Sequence, residues 1–148
     1  MNPSQPKTAS SEQEIQRTLM QLEAERRRFE ALSKQGQLVE SALIEVNATI
    51  QALNSMAEVK EGTEILVSLG ANTFVKATLK DKENVMVGVG AGVSIEKKRA
   101  EAVSSLEARR EELSKTMGSI QKMSAEAAAR VEALNDAAEG MINAPKQQ

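Results

Sequence analysis

Apolar residues recur along the chain at alternating steps of three and four over two long stretches. Between the stretches lies a short segment where the spacing drops to two. In the second stretch the series is Val103, Leu106, Arg110, Leu113, Met117, Ile120, Ser124, Ala127, Val131, Leu134, Ala138 and Met141. In the first it is Phe29, Leu32, Gly36, Val39, Leu43, Val46, Ile50, Leu53 and Ala57, preceded by Ile15, Leu19, Leu22 and Arg26. A 3.5-residue average keeps one narrow stripe facing a partner helix, so both stretches read as coiled-coil helices. Reading Arg26, Phe29 and Leu32 as successive core positions gives two steps of three in a row, a stammer that predicts local overwinding.

The period-two segment reads as four strands. Ile65 to Leu69 is followed by the turn Gly70-Ala71-Asn72, and Phe74 to Lys80 alternates with Val75, Ala77 and Leu79 on one face. Asp81 to Asn84 makes the next turn. Val85, Val87 and Val89 mark a third strand, Gly90-Ala91-Gly92 a third turn, and Val93 to Ile95 a fourth strand entering the second helix. The pattern is two β-hairpins in series. Expected boundaries are a disordered tail at 1–10, a first helix at 11–61 with Ser10 or Ser11 as its cap, a double-hairpin insert at 62–96, a second helix at 97–142 and a tail at 143–148. Gly62 is placed to end the first helix in the left-handed conformation.

The fold class that follows is mainly α with a small β insert: a long antiparallel two-helix coiled-coil hairpin joined by two β-hairpins. The two arms match in length, each roughly 60 Å by helix rise. Folding them together pairs Ile15 with Met141, Leu22 with Leu134, Ile50 with Leu106, Leu53 with Val103, and the large Phe29 with the small Ala127.

Composition narrows the picture. Of 148 residues only 1% are aromatic, and both of those are Phe, so the chain suits a thin helix–helix seam better than a thick globular core. Cys and His are both absent, which removes disulfides, Ser-His and Cys-His nucleophiles and the usual metal ligands, so neither cofactor nor metal is expected. Paired carboxylates such as Glu111 and Glu112 lie on helices with no pocket to shift their pKa, and an enzyme is not expected. The net charge of −2 argues against a nucleic-acid surface, with Arg26-Arg27-Arg28 read as a solvated face balanced by Glu23, Glu25 and Glu30. No apolar run approaches a membrane span, and the polar start resembles no signal peptide, so a soluble cytoplasmic protein is expected. The glycines of Gly88-Val89-Gly90-Ala91-Gly92 read as hairpin turn chemistry rather than a phosphate loop, because a strand follows them where a phosphate loop needs a helix.

Two features point to function. Four short strands have free edges and an apolar face, so Ile65, Val67, Leu69, Val75, Ala77, Leu79, Val85, Val87, Val89, Val93 and Ile95 are expected to mediate oligomerisation. Apolar residues also gather near the open end of the helical hairpin, where Ile15, Leu19, Met20, Leu22, Val131, Leu134, Met141 and Ile142 suit an adaptable binding surface. Gly36 and Gly118 fall close together in the antiparallel register and would allow close helix approach or a bend.

The stretches Glu64 to Ala77 and Val85 to Lys98, set between equal helical arms, resemble the first and second hairpins of the prefoldin alpha class in its archaeal form. The beta class carries one hairpin, so the doubled insert points to alpha. The resemblance implies a hexamer of two alpha and four beta subunits, whose hairpins form a double β-barrel platform from which the coiled coils hang. It further implies an ATP-independent holdase that captures non-native client proteins at the coiled-coil tips and delivers them to a group II chaperonin. A coiled-coil spacer or filament subunit assembled through the same platform is the alternative. A nucleic-acid-associated coiled coil using Arg26 to Arg28 and Lys97 to Arg99 is a third.

Overall fold

A computed structural model describes residues 7–145. Helix α1 spans Lys7–Glu58, strands β1 Glu64–Gly70, β2 Thr73–Thr78, β3 Asn84–Gly90 and β4 Val93–Lys98 follow, and helix α2 spans Arg99–Asn143. The element order is the expected one, and four boundaries move, one of them the end of α1, which stops at Glu58 rather than at residue 61. Nothing after Pro6 interrupts the helix, so α1 starts at Lys7 and Ser10 and Ser11 lie inside it rather than capping it. At the other junction Glu96, Lys97 and Lys98 stay in β4 because each still faces a β3 residue: Met86, Val85 and Asn84 respectively. The second helix therefore begins at Arg99, not residue 97, and at its far end it takes in Asn143. The remainder of the two expected tails, 1–6 and 146–148, lies outside the described residues.

The fold divides into two compact units. One holds α1 up to Glu40 with α2 from Thr116, and the other is Ser41–Lys115. In the first unit the helices pair antiparallel in the predicted register. A Cβ on Gly36 would lie 3.5 Å from Ile120 Cγ2, and Arg130 reaches Glu25 at 3.4 Å. Leu22, Leu32, Ile120, Ala127 and Ala138 are buried along this seam.

The seam is more regular than the apolar residues alone suggest. Thr18 is buried and Glu25 is half-buried, while Leu19 and Arg26 are exposed. The covered positions of α1 thus run 15, 18, 22, 25, 32, 36, 39, 43, 46, 50, 53 and 57, and Phe29, which completes the alternation of three and four, stays 40% exposed instead of packing fully over the buried Ala127 as expected. The expected stammer is absent. A core heptad position can hold a polar residue at some cost, and here two do. Thr18 donates to Met141 Sδ at 3.9 Å, and Glu25 takes Arg130 on Oε1, with Arg28 at 3.8 Å from Oε2. That last contact is an ion pair at a separation beyond hydrogen-bond reach.

In the second unit Val46, Ile50, Leu53 and Ala102 are buried, with Arg110 3.5 Å from Asn47. Arg99 fastens the helix ends to the insert. Its guanidinium donates to Leu53 O and Lys82 O, while Lys82 Nζ reaches Ala57 O, one of the carbonyls left without an intrahelical partner at the end of α1. Gly62, at φ +88°, turns the chain out of α1 into the first hairpin, as expected.

The two hairpins are copies of one design, offset by 20 residues. Glu64 faces Thr78 as Asn84 faces Lys98, Val67 faces Val75 as Val87 faces Ile95, and both carry a bulge, between Ser68 and Gly70 and between Gly88 and Gly90. Each turn has two residues at positive φ, Ala71-Asn72 and Ala91-Gly92, the mirror-image turn whose twist matches the flanking strands. Even the base repeats: Leu79 donates to Thr63 O at 2.9 Å and Arg99 to Glu83 O at 2.7 Å. Between the hairpins Asp81 accepts from the amides of Glu83 and Asn84 and from the Asn84 side chain.

Candidate functional site

Two sets of exposed apolar side chains remain once the seam is packed. The first lies on the hairpins, each a separate two-stranded sheet. Because side chains alternate across a strand, Ile65, Val67, Val75 and Ala77 share one face of the first hairpin, and Val85, Val87 and Ile95 the equivalent face of the second. Val85, Val87 and Ala77 are half-covered and the others open, as are Leu69, Val89 and Val93 near the turns. Leu79 differs from the other residues expected to mediate assembly. It sits past the end of β2, buried at the base of the hairpin, where its backbone closes the ladder with Gly62 and Thr63. It supports the insert from inside and offers nothing to a partner.

The arms cover part of the second hairpin themselves. Val85, Val87 and Lys97 line a groove of about 430 Å³ together with Leu53, Ala102 and Leu106. The arms therefore cover the apolar face of the second hairpin in part, while Ile65, Val67 and Val75 on the first stay open.

The second set lies on the unit formed by α1 up to Glu40 and α2 from Thr116. Met20 is 70% exposed and Ile142 60%, with Leu19 and Met141 also open. Ile15, Val131 and Leu134 are half-buried in the seam. Leu22 does not join them: at 6% exposure it is core, and a client surface that includes it is corrected accordingly. Alternation of three and four extended backwards from Leu22 would have placed Thr18 in the seam and Leu19 outside it. An apolar-only reading misses this, because the larger hydrophobe looks like the better core residue. A shallow cleft of about 460 Å³ floored by Ala24, Ala133 and Leu134 runs beside the Glu25–Arg130 pair. The first hinge candidate, Gly36, packs against Ile120, whereas a Cβ on Gly118 would meet nothing within 4 Å, so close approach is built at one glycine only.

The basic run Arg26 to Arg28 behaves as a charge-laced face. Arg27 pairs with Glu23, Arg28 with Glu25, and Arg26 donates to Asn135. No helix among the described residues is long and apolar enough to cross a membrane.

A family model described as Prefoldin subunit matches residues 26–144. The chain belongs to the prefoldin family. Among curated relatives it is 38% identical over 116 residues to prefoldin subunit alpha of Methanopyrus kandleri, covering 76% of this chain and 74% of the relative. To prefoldin subunit alpha of Pyrococcus horikoshii it is 29% identical over 120 residues, covering 78% and 81%. These relatives and the doubled hairpin together place it in the prefoldin alpha class. Two solved structures share its fold. Filamentous PFD from Methanocaldococcus jannaschii, seen by cryo-EM, superposes with a TM-score of 0.66 at 23% identity, covering 78% of this chain and 95% of that one. The prefoldin beta subunit from Thermococcus strain KS-1 gives 0.58 at 15% identity, covering 89% and 95%. Prefoldin membership makes the chain a chaperone-type subunit that assembles with other prefoldin subunits.

Proposed function

We propose that the chain is the alpha subunit of a hexameric, ATP-independent holdase, built with four beta subunits, that captures non-native proteins on its coiled-coil ends and passes them to a group II chaperonin. The observation that carries the reading is the division of exposed apolar side chains into two sets with different surroundings. The hairpin set sits on strands with open edges, which demand pairing. The set around Leu19, Met20, Met141 and Ile142 sits on helices whose backbone is already satisfied, so its side chains are available to a ligand without order of its own. Met20 and Met141 are flexible thioethers, which accommodate varied apolar partners. The platform residues are Ile65, Val67, Leu69, Val75, Ala77, Val85, Val87, Val89, Val93 and Ile95.

The test is suppression of light scattering by an unfolding client, without nucleotide, comparing the hexamer with one whose alpha chain carries Leu19→Ser, Met20→Ser, Met141→Ser and Ile142→Ser. Each apolar side chain lost removes on the order of 1.5–3 kcal/mol of possible burial. Suppression should weaken many-fold while hexamer size is unchanged. Equal suppression would remove these residues from the client site.

A second reading, a filament subunit, is favoured by the likeness to a chain from a filamentous assembly. Head-to-tail pairing of open sheet edges extends without limit where a closed ring does not. Sedimentation with and without beta subunits separates the two: a single hexamer peak supports the holdase, and lengthening polymers support the filament.

A further inference from the structure

With no Cys, Trp, Tyr or His, the chain leaves methionine as its readily oxidised side chain. The methionines differ in how far an oxidant can reach them. Met56, Met117 and Met123 are half-buried, whereas Met20 is 70% exposed, Met86 67% and Met141 36%. Met86 lies on the second hairpin. The other two belong to the exposed apolar set on the arms, with Leu19 and Ile142.

Met141 has a neighbour of a particular kind. Thr18 is buried in the seam at 9% exposure, and its hydroxyl donates to Met141 Sδ at 3.9 Å. A thioether sulfur is a weak acceptor, so a buried donor gains little from it. A hydroxyl in the seam is costly by comparison with an aliphatic side chain, yet here it is aimed at the one kind of apolar side chain that chemistry can convert into a strong acceptor. An oxygen added to that sulfur is the partner the hydroxyl lacks.

We propose that Met20 and Met141 form a reversible oxidation site that switches off the apolar surface of the arms, with Thr18 as the positioning residue that keeps the seam packed when Met141 carries a sulfoxide. The inference rests on the client-capture reading of this surface. The oxidant is a hydroperoxide, hydrogen peroxide in the simplest case. The thioether sulfur attacks one peroxide oxygen and the O–O bond breaks. The proton on the transferred oxygen passes to the departing hydroxide, giving sulfoxide and water. Sulfur loses the electron pair that the peroxide gains. For the return step a dithiol, acting through a methionine sulfoxide reductase, removes the oxygen as water and becomes a disulfide. The sulfoxide makes a flexible apolar side chain polar, so Met20 stops offering burial to a client. At Met141 the new oxygen accepts from the Thr18 hydroxyl, and the helices stay paired.

The test uses full-length chains carrying Met86→Leu, which removes the exposed thioether of the hairpins. They are treated with limiting hydrogen peroxide, quenched and assembled with untreated beta subunits. Peptide mass spectrometry should find one added oxygen on Met20 and on Met141 several-fold sooner than on Met56, Met117 or Met123. Equal rates would overturn the site. Suppression of client light scattering should fall several-fold after peroxide and recover after a methionine sulfoxide reductase with dithiothreitol. It should resist peroxide in the Met20→Leu, Met141→Leu double variant. Undiminished suppression by the oxidised hexamer would refute the switch. If the four-serine variant at Leu19, Met20, Met141 and Ile142 also suppresses fully, the capture reading has failed with it; if that variant does not, the switch alone has failed. The role of Thr18 is read without clients, in thermal melts of the chain. Peroxide should lower the melting temperature of Thr18→Val well beyond its effect on the parent or on Thr18→Ser, which keeps the hydroxyl. Equal shifts in all three would refute the positioning role.

Discussion

Leu22, Leu32, Val46, Ile50 and Leu53 on α1, and Leu66, Leu69, Phe74, Met86 and Val89 on the hairpins, are equally apolar, yet the first group is buried and the second stands open to solvent. The seam satisfies itself within one chain: each helix meets its backbone hydrogen bonds internally, and the stripe of each arm covers the other. The hairpins cannot do so. A two-stranded ribbon has an unpaired edge on both sides and is marginal in water unless something packs on it. The contrast separates what folds this chain from what it is built to join.

The sharpest way to break that contrast is Val87→Lys. Val87 lies on the apolar face of the second hairpin, half-covered by the arms. Burying an unpaired ammonium in an assembled platform costs several kcal/mol. Assembly with beta subunits should fall sharply by sedimentation, while helicity by circular dichroism stays near normal. Persistence of the full-size complex would mean that Val87 faces solvent in the assembly.

In the seam the opposite pattern is expected. Ile120→Ala removes a buried side chain that packs on Gly36 and should cost about 2–4 kcal/mol of thermal stability. The hairpins should still pair with partner subunits below the lowered melting temperature. Loss of assembly at low temperature would show that the two regions are not separable.

Gly36→Ala sharpens the picture on a smaller scale. The new methyl would stand at ordinary contact distance from Ile120, so the helix-propensity gain of about 1 kcal/mol should appear as a higher melting temperature. A drop would mean that the seam tolerates no side chain there.

The smallest effect concerns Asp81. Its carboxyl is held below the usual carboxylate range, chiefly by the Asn84 side chain and then by the amides of Glu83 and Asn84. A depressed folded pKa stabilises above the ordinary value, and that stabilisation is lost as pH falls from about 4 through the lower folded pKa. Hydrogen exchange at the Glu83 and Asn84 amides should therefore report a slight loosening in acid, and Asp81→Asn should flatten it. An unchanged acid response in Asp81→Asn would assign the loosening to another group.

Much of this was legible in the chain alone. Alternation of three and four, interrupted by a period of two, is a backbone requirement written directly into side-chain type, and it fixes the order of elements and the antiparallel pairing. Where reading by hydrophobicity failed, geometry overruled chemistry. Thr18 and Glu25 occupy seam positions because the spacing requires it, and Leu19 is left outside although it is the better hydrophobe. Strand β4 runs on to Lys98 because its ladder to β3 continues through charged residues that carry no strand pattern. The 20-residue repeat is carried by matching positions such as Ile65 and Val85, Val67 and Val87, and Gly70-Ala71 and Gly90-Ala91, while Phe74 and Ser94, or Lys76 and Glu96, share no chemistry and mask it. The exposed apolar set around Met20 was legible as a region and not as a list, since exposure of Met20 and burial of Leu22 depend on which side of a helix faces the seam.

The account's central claim is that assembly resides in the hairpins and client capture in the exposed ends of the arms. Its most direct test is sedimentation velocity with a fluorescent unfolded client, using hexamers whose alpha chain begins near Arg26 and ends near Ala129. The prediction is a complex sedimenting as an intact hexamer from which the client is largely absent. A truncated complex that still carries the client, or one that no longer assembles, would contradict the claim.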